Sequence, residues 1–272
     1  QLDFRGATDG RLQTTAAWEM TMRLKDCAIA AGLQLENVSG IVNARGNWDG
    51  AHLINAGDIR LDTVDVLGKQ LTRVFGPYSL NDEELLLGSR DIFNINPELV
   101  PTASQIQAQG YGGSLLVNAT VSLNESDRFR LFSTIRNALL ESYAARHIPD
   151  QQNMKGVVNA WLYLTGAGED AARIEGRGQL LISPASMYEL PMMVTLFRAL
   201  GQLNFTVPNR EAFDYALLSF DVQDEQFVFD PIDLVGDSLA LRGRGSIGFG
   251  GDVVMDFFSR PARSRRPSLP LV

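Results

Sequence analysis

Apolar and polar residues alternate along most of the chain. Trp18, Met20, Met22 and Leu24 interleave with Glu19, Thr21, Arg23 and Lys25, the period of a strand with one face buried and the other wet. Leu115, Val117, Ala119, Val121 and Leu123 repeat the pattern against Ser114, Asn118, Thr120 and Ser122, broken by Leu116, and Val158, Ala160, Leu162 and Leu164 form a further row. Towards the C-terminus, Leu218, Phe220 and Val222 oppose Ser219, Asp221 and Gln223. A turn at Asp224, Glu225 and Gln226 leads into Phe227 and Phe229, and beyond Asp230 and Pro231 the row resumes with Leu239, Leu241, Ile247 and Phe249. Gly250, Gly251 and Asp252 turn the chain again, ahead of Val253, Met255 and Phe257. Further strands are expected between Glu36 and Gly88, and a loop from Arg90 to Ser104 around Pro97 and Pro101. Short strands joined by tight Gly, Asn and Asp turns predict a largely antiparallel meander.

Two segments carry a helical period instead. Between Asp127 and His147, the residues Phe129, Phe132, Ile135, Leu139 and Tyr143 fall on one stripe, with Asn124 or Ser126 as N-cap and Pro149 beyond the end. The second predicted helix runs from Pro184 to Leu200, capped by Ser183, closed by Gly201 and kinked at Pro191. Each follows a Gly-led strand, which makes a weak internal repeat of strand-plus-helix modules. The expected fold is mainly β with two amphipathic helices, in three stretches: 1–104, 105–259 and a basic, Pro-rich 260–272.

The C-terminal meander raises a covering problem. Leu218, Phe220, Val222, Phe227, Phe229, Leu239, Leu241, Ile247, Phe249, Val253, Met255 and Phe257 together present on the order of 1,000 Å² of apolar surface, more than a soluble monomer usually leaves bare. A second sheet, a closed barrel, or a curved sheet whose apolar face lines a lipid-filled groove would each solve it. Pattern alone leaves all three open.

Composition removes several other classes. The 272 residues hold 24 Lys plus Arg, 32 Asp plus Glu, one Cys and two His, for a net charge of -8. An internal disulfide is excluded, and Cys27, His52 and His147 are too few for a Cys/His zinc site. The acidic balance argues against nucleic acid, whose binding rests on basic side chains. No stretch reaches the ~18–20 continuous apolar residues of a membrane-spanning helix. Gln1 stands in mid-pattern, as expected of a piece of something longer. Arg260, Arg263, Arg265 and Arg266 gather near the end; they suit a solvated linker or contact with anionic lipid headgroups.

Candidate catalytic chemistry is thin. Gly243, Gly245 and Gly248 spell GxGxxG, but inside a strand pattern rather than between strand and helix, where a dinucleotide needs it. The carboxylates Asp82, Glu83 and Glu84, then Asp224 and Glu225, and the Asp230, Asp233, Asp237 series read as turn residues. Sequons begin at Asn37, Asn118, Asn124 and Asn204, a pattern common by chance. His147 reads as a helix C-terminal residue. No nucleophile, metal site or cofactor site is predicted.

Several phrases occur together in order: a Gly-rich strand from Gly176 to Ile182, the helix entry ISPASMYELP, the aromatic strand at Phe213 to Val222, a hairpin with FVF, and DLVGDSLALRGRG. This set resembles the C-terminal region of AsmA-like proteins, bacterial envelope proteins related to TamB, and is most similar to planctomycete-type members. The resemblance covers Gly110 to Arg260. It implies an elongated, curved antiparallel sheet with an apolar groove, tethered to the inner membrane by an anchor outside these residues. It also implies phospholipid as cargo, envelope assembly proteins as partners, a periplasmic location and no catalytic residues. A structural or protein-interaction β-domain with a closed core and no lipid is the alternative. A carbohydrate-acting enzyme would need paired carboxylates in a cleft.

Overall fold

A computed structural model describes residues 15–30, 34–66, 68–123, 127–147, 154–168, 171–186, 213–236 and 240–260. Fourteen strands form a single antiparallel sheet: β1 (Ala16–Ala30), β2 (Gln34–Trp48), β3 (Leu53–Val66), β4 (Lys69–Asn81), β5 (Glu84–Leu87), β6 (Ile106–Gly110), β7 (Gly113–Ser122), β8 (Arg128–Leu139), β9 (Lys155–Ala167), β10 (Glu175–Ser186), β11 (Tyr215–Gln223), β12 (Gln226–Val235), β13 (Ala240–Gly248) and β14 (Val253–Arg260). β5 and β6 lie end to end between β4 and β7, so the sheet has thirteen rungs in chain order. Where the connections are short turns, such a meander follows from the sequence, because a tight turn returns the chain beside the strand it has just left. At Asp224 and Glu225 both φ angles are positive (49° and 57°), the backbone of a two-residue hairpin whose twist matches its strands.

The described connections alternate between two rims. One carries the turns at 49–52, 82–83, 224–225 and 249–252; the other carries the turn at 111–112 and the single described α-helix, α1 (Leu140–His147). The helix expected from Asp127 to His147 is thus corrected. After Asp127, its next twelve residues are β8, and only the last turns are helical. The segment carries both periods, and pairing settles the choice, since β8 bonds to β7 on one side and β9 on the other. An isolated helix there would leave a gap in the sheet. Of the helix expected from Pro184 to Leu200, residues 184–186 end β10, and the remainder lies outside the described residues.

The loop expected from Arg90 to Ser104 is an excursion between β5 and β6, built of three short 3-10 turns. Ser89 Oγ accepts from Asp91 N, and Asn96 Oδ1 accepts from Glu98 N at 2.9 Å. The excursion folds onto the sheet, where Ile92 and Val100 pack with Phe132 and Trp161. Asn118 ties it down. Fully buried, this side chain donates to Gln105 Oε1 and accepts from Ser89 N, each at 2.9 Å, so its sequon is closed in the folded chain.

Candidate binding face

Cross-strand register sorts the side chains into two faces. On one, Trp18, Met20, Met22 and Leu24 of β1 lie opposite Gly46, Ala44, Val42 and Gly40 of β2, and Val42 lies opposite Ile59 of β3. The same face continues through Leu115, Val117, Ala119 and Val121 of β7 to Val158, Ala160, Leu162 and Leu164 of β9. It then passes through Leu180 and Ile182 of β10 to β11 and beyond. Every rung contributes apolar side chains to it.

The opposite face is the more polar one, apart from the patch of Phe132 and Trp161 that the excursion covers, and it is stitched across strands. Arg45 donates to Glu19 at 2.7 Å, Thr21 to Asn43 at 2.9 Å and Gln179 to Ser219 at 2.9 Å, each pair directly opposite in register. Such pairs add about 0.2–1 kcal/mol each.

A strict period of two does not survive the full length of these strands. In β1 the apolar row passes from Leu24 to Cys27 and Ile29, in β3 from Leu61 to Val64, in β4 from Leu71 to Val74 and in β12 from Phe229 to Ile232. An odd step would send a regular strand's side chains to the other face. At or beside these steps the sheet carries a register shift or a left-handed residue, Asp26 (φ 48°) in β1 and Arg73 (φ 52°) in β4 among them. A bulge absorbs one residue and returns the next apolar side chain to the same side.

Glycines on this face make room for rings. Gly46 lies opposite Trp18, Gly166 opposite Phe129, Gly178 opposite Phe220 and Gly243 opposite Phe257. A Cβ on Gly243 would come within 2.5 Å of Phe257 Cδ1, because the ring lies across the bare backbone. The GxGxxG run of β13 is therefore a seat for β14 side chains, without the helix that a dinucleotide needs. Gly243→Ala is expected to destabilise the chain by about 1–3 kcal/mol in a denaturant titration. Adding Phe257→Leu should recover part of that loss.

The residues singled out in the C-terminal sequence fall on this face. Phe220 lies opposite Phe229, Val222 opposite Phe227, Phe227 opposite Ile247, and Ile247 opposite Val253; Met255 and Phe257 follow along β14. Leu218 lies opposite Ile232, and Leu241 opposite Leu234. Rings link Phe220 to Phe227 and Phe229, and Phe227 to Phe249 in the β13–β14 turn, with centroids 5.5–5.7 Å apart. Ile232 and Leu234, hidden in the sequence by the step at Asp230 and Pro231, are 0% and 1% exposed. Leu239, Arg263, Arg265 and Arg266 lie outside the described residues; Arg260 ends β14.

Burial across the face is uneven. Val38, Ala216 and Leu241 are fully enclosed, whereas Met20 and Met22 are 40% exposed and Val253 49%. Among the described residues, no second sheet lies against it, and the eight-residue α1 reaches only its margin, through Leu140.

At that margin, His147 fastens α1 to the rim. Its Nδ1 accepts from the Lys69 ammonium at 3.4 Å, so its Nε2–H donates to the Tyr111 hydroxyl at 2.6 Å. Tyr143 stacks against both rings, Lys69 and Arg146 stand over the tyrosines, and Asp65 faces Tyr111. Desolvation, then the charges of Lys69 and Arg146, push the His147 pKa below its usual value. The unfolded chain therefore takes up the proton first as pH falls. The neutral histidine's contribution is complete above about pH 6.5 and is lost as pH falls from there through the lowered folded value. The melting temperature should drop between pH 7.5 and 5, and His147→Gln should flatten that part of the profile.

Fold and face together define a class: among the described residues, a single-sheet antiparallel meander with a continuous apolar row on one side and a more polar second side. No family model, curated protein or solved structure matches this chain.

Proposed function

We propose that the chain is a non-enzymatic module that binds phospholipid acyl chains on its apolar face and conducts them along it, within a bacterial envelope. The observation that carries this reading is the apolar row to which each of the thirteen rungs contributes, kept on one side by bulges where the alternation breaks. At ~4.8 Å between rungs, the path is roughly 60 Å long. Each buried methylene is worth about 0.8 kcal/mol, so a chain that slides along such a face keeps a burial it would forfeit in water. Bulges strengthen strand twist, which suits a sheet curled around this face as a groove. Phospholipid is the amphiphile chosen because the sequence resembles AsmA-like proteins, and with it come an inner-membrane anchor outside these residues and envelope assembly proteins as partners. Headgroups would ride at the polar turns of the rims.

The rival is a dry β-domain that serves assembly rather than transport. The enclosed cluster of Ile232, Leu234 and Leu241 favours it locally. Lipid content separates the two. The purified chain should carry extractable phospholipid and take up fluorescent phospholipid from vesicles, and Met20→Glu with Met22→Glu should reduce uptake several-fold. A folded chain without lipid or uptake would leave the dry domain.

A further inference from the structure

We propose that β1 pairs with β1 of a second copy of this chain, antiparallel about a two-fold axis at Thr21, and so joins two sheets into one. β1 is the first rung: β2 lies on one side of it, and among the described residues no strand lies on the other. The edge is 15 residues long, and its register with β2 runs unbroken from Ala16 to Leu24. From Glu19 to Arg23 every residue is exposed. A regular edge of this kind offers a row of main-chain donors and acceptors to any strand whose side chains match its own.

The side chains of β1 match their own reverse. A two-fold axis perpendicular to the sheet keeps each face on its own side, so residues equidistant from the axis meet directly. About Thr21, Glu19 meets the second copy's Arg23, Met20 meets its Met22, Trp18 meets its Leu24, and Thr21 meets itself. The opposite charges and the threonines pair on the more polar face, while the methionines, Trp18 and Leu24 extend the apolar row. Met20 and Met22, each 40% exposed in the single chain, are covered by the contact. Glu19 accepts from Arg45 at 2.7 Å and has lone pairs for a second guanidinium. Arg23 faces Ile41 on β2 and makes no ion pair among the described residues. Neighbouring registers fit less well. An axis at Met20 brings no opposite charges together, and one at Met22 sets Arg23 against Thr21 and draws on Lys25, beyond the unbroken register. Charges that ordinarily keep an edge strand single are placed here to admit the same strand reversed. The contact does not depend on whether the apolar face carries lipid.

Sedimentation of the purified chain, with charge reversals at the two positions, tests the contact. The unaltered chain should dimerise reversibly in the micromolar range. R23E places two carboxylates opposite each other and E19R two guanidinia, so each variant alone should weaken the dimer at least tenfold. Mixed in equal amounts, the two variants are complementary at both pairs and should recover the parent affinity. Both positions are exposed, so both variants should melt within a few degrees of the parent. Independently, T21C in a C27S background, which removes the one native cysteine, should crosslink to itself on oxidation, whereas D62C, exposed on β3, should not. A chain that stays monomeric through the micromolar range, a dimer that R23E and E19R leave unchanged, or a mixture no tighter than the separate variants would each overturn the proposal. So would equal crosslinking of the two cysteine variants, or none.

Discussion

Leu241→Asp should abolish the folded state, whereas Met22→Asp should leave it standing and lower lipid uptake. Both side chains point to the same face, but Leu241 is 0% exposed, between Leu234 on β12 and β14 on its other side. A lone carboxylate there has neither water nor a cation, at a cost of several kcal/mol. Chains of this kind have only about 5–15 kcal/mol in total. Met22 is 40% exposed on edge strand β1, so an Asp there keeps its hydration and should cost no more than about 1 kcal/mol. It would, however, put a charge on the proposed acyl path. Denaturant melts and vesicle uptake on the two variants together separate stability from function.

Two single-residue deletions in β8 should differ as sharply. Asn137 is left-handed (φ 56°) and sits in the register shift between Ile135 and Ala138. Removing it restores a regular alternation with Ile135 and Ala138 on the same side, so the loss should stay within about 2 kcal/mol. Ser133 lies in an unshifted part of the strand, opposite Val117 and Leu162. Without it, every side chain beyond reverses, and Ile135 turns to the polar face while Arg136 turns to the apolar one. Exposing one such aliphatic residue costs about 1.5–3 kcal/mol, and stranding the charge costs more. Soluble yield and a cooperative melt should survive the first deletion and fail with the second.

Much of this architecture was legible in the sequence, for a physical reason. A period of two, with turns such as Asp224–Glu225 and Gly250–Gly251, is a local property and needs no knowledge of partners. The rows at Trp18, Leu115, Val158 and Leu218 are found as strands. What was not legible depends on the neighbouring strand. Phe129, Phe132, Ile135 and Leu139 satisfy a helical stripe as well as Phe129, Leu131 and Ile135 satisfy a strand row, and only pairing with β7 and β9 decides. Bulges are equally non-local. A hint existed in the odd step from Leu24 to Cys27 with Asp26 between them, and in the step past Asp230 and Pro231 that hid Ile232 and Leu234. The docking of the 88–105 excursion on the sheet could not be foreseen. The excursion reads as a plain Pro-rich loop, and Phe132, against which it packs, lies in a segment that reads as helix.

The central claim is that one face of this sheet contacts lipid and the other does not. A photo-crosslinking residue at Phe220, or at Asp221 as control, tests it within the complete protein in living cells. The two positions are adjacent in β11 but on opposite faces, Phe220 among the aromatic rings and Asp221 exposed. The account predicts covalent phospholipid adducts at Phe220 and none at Asp221. A folded protein with adducts at neither position, or equally at both, would contradict it.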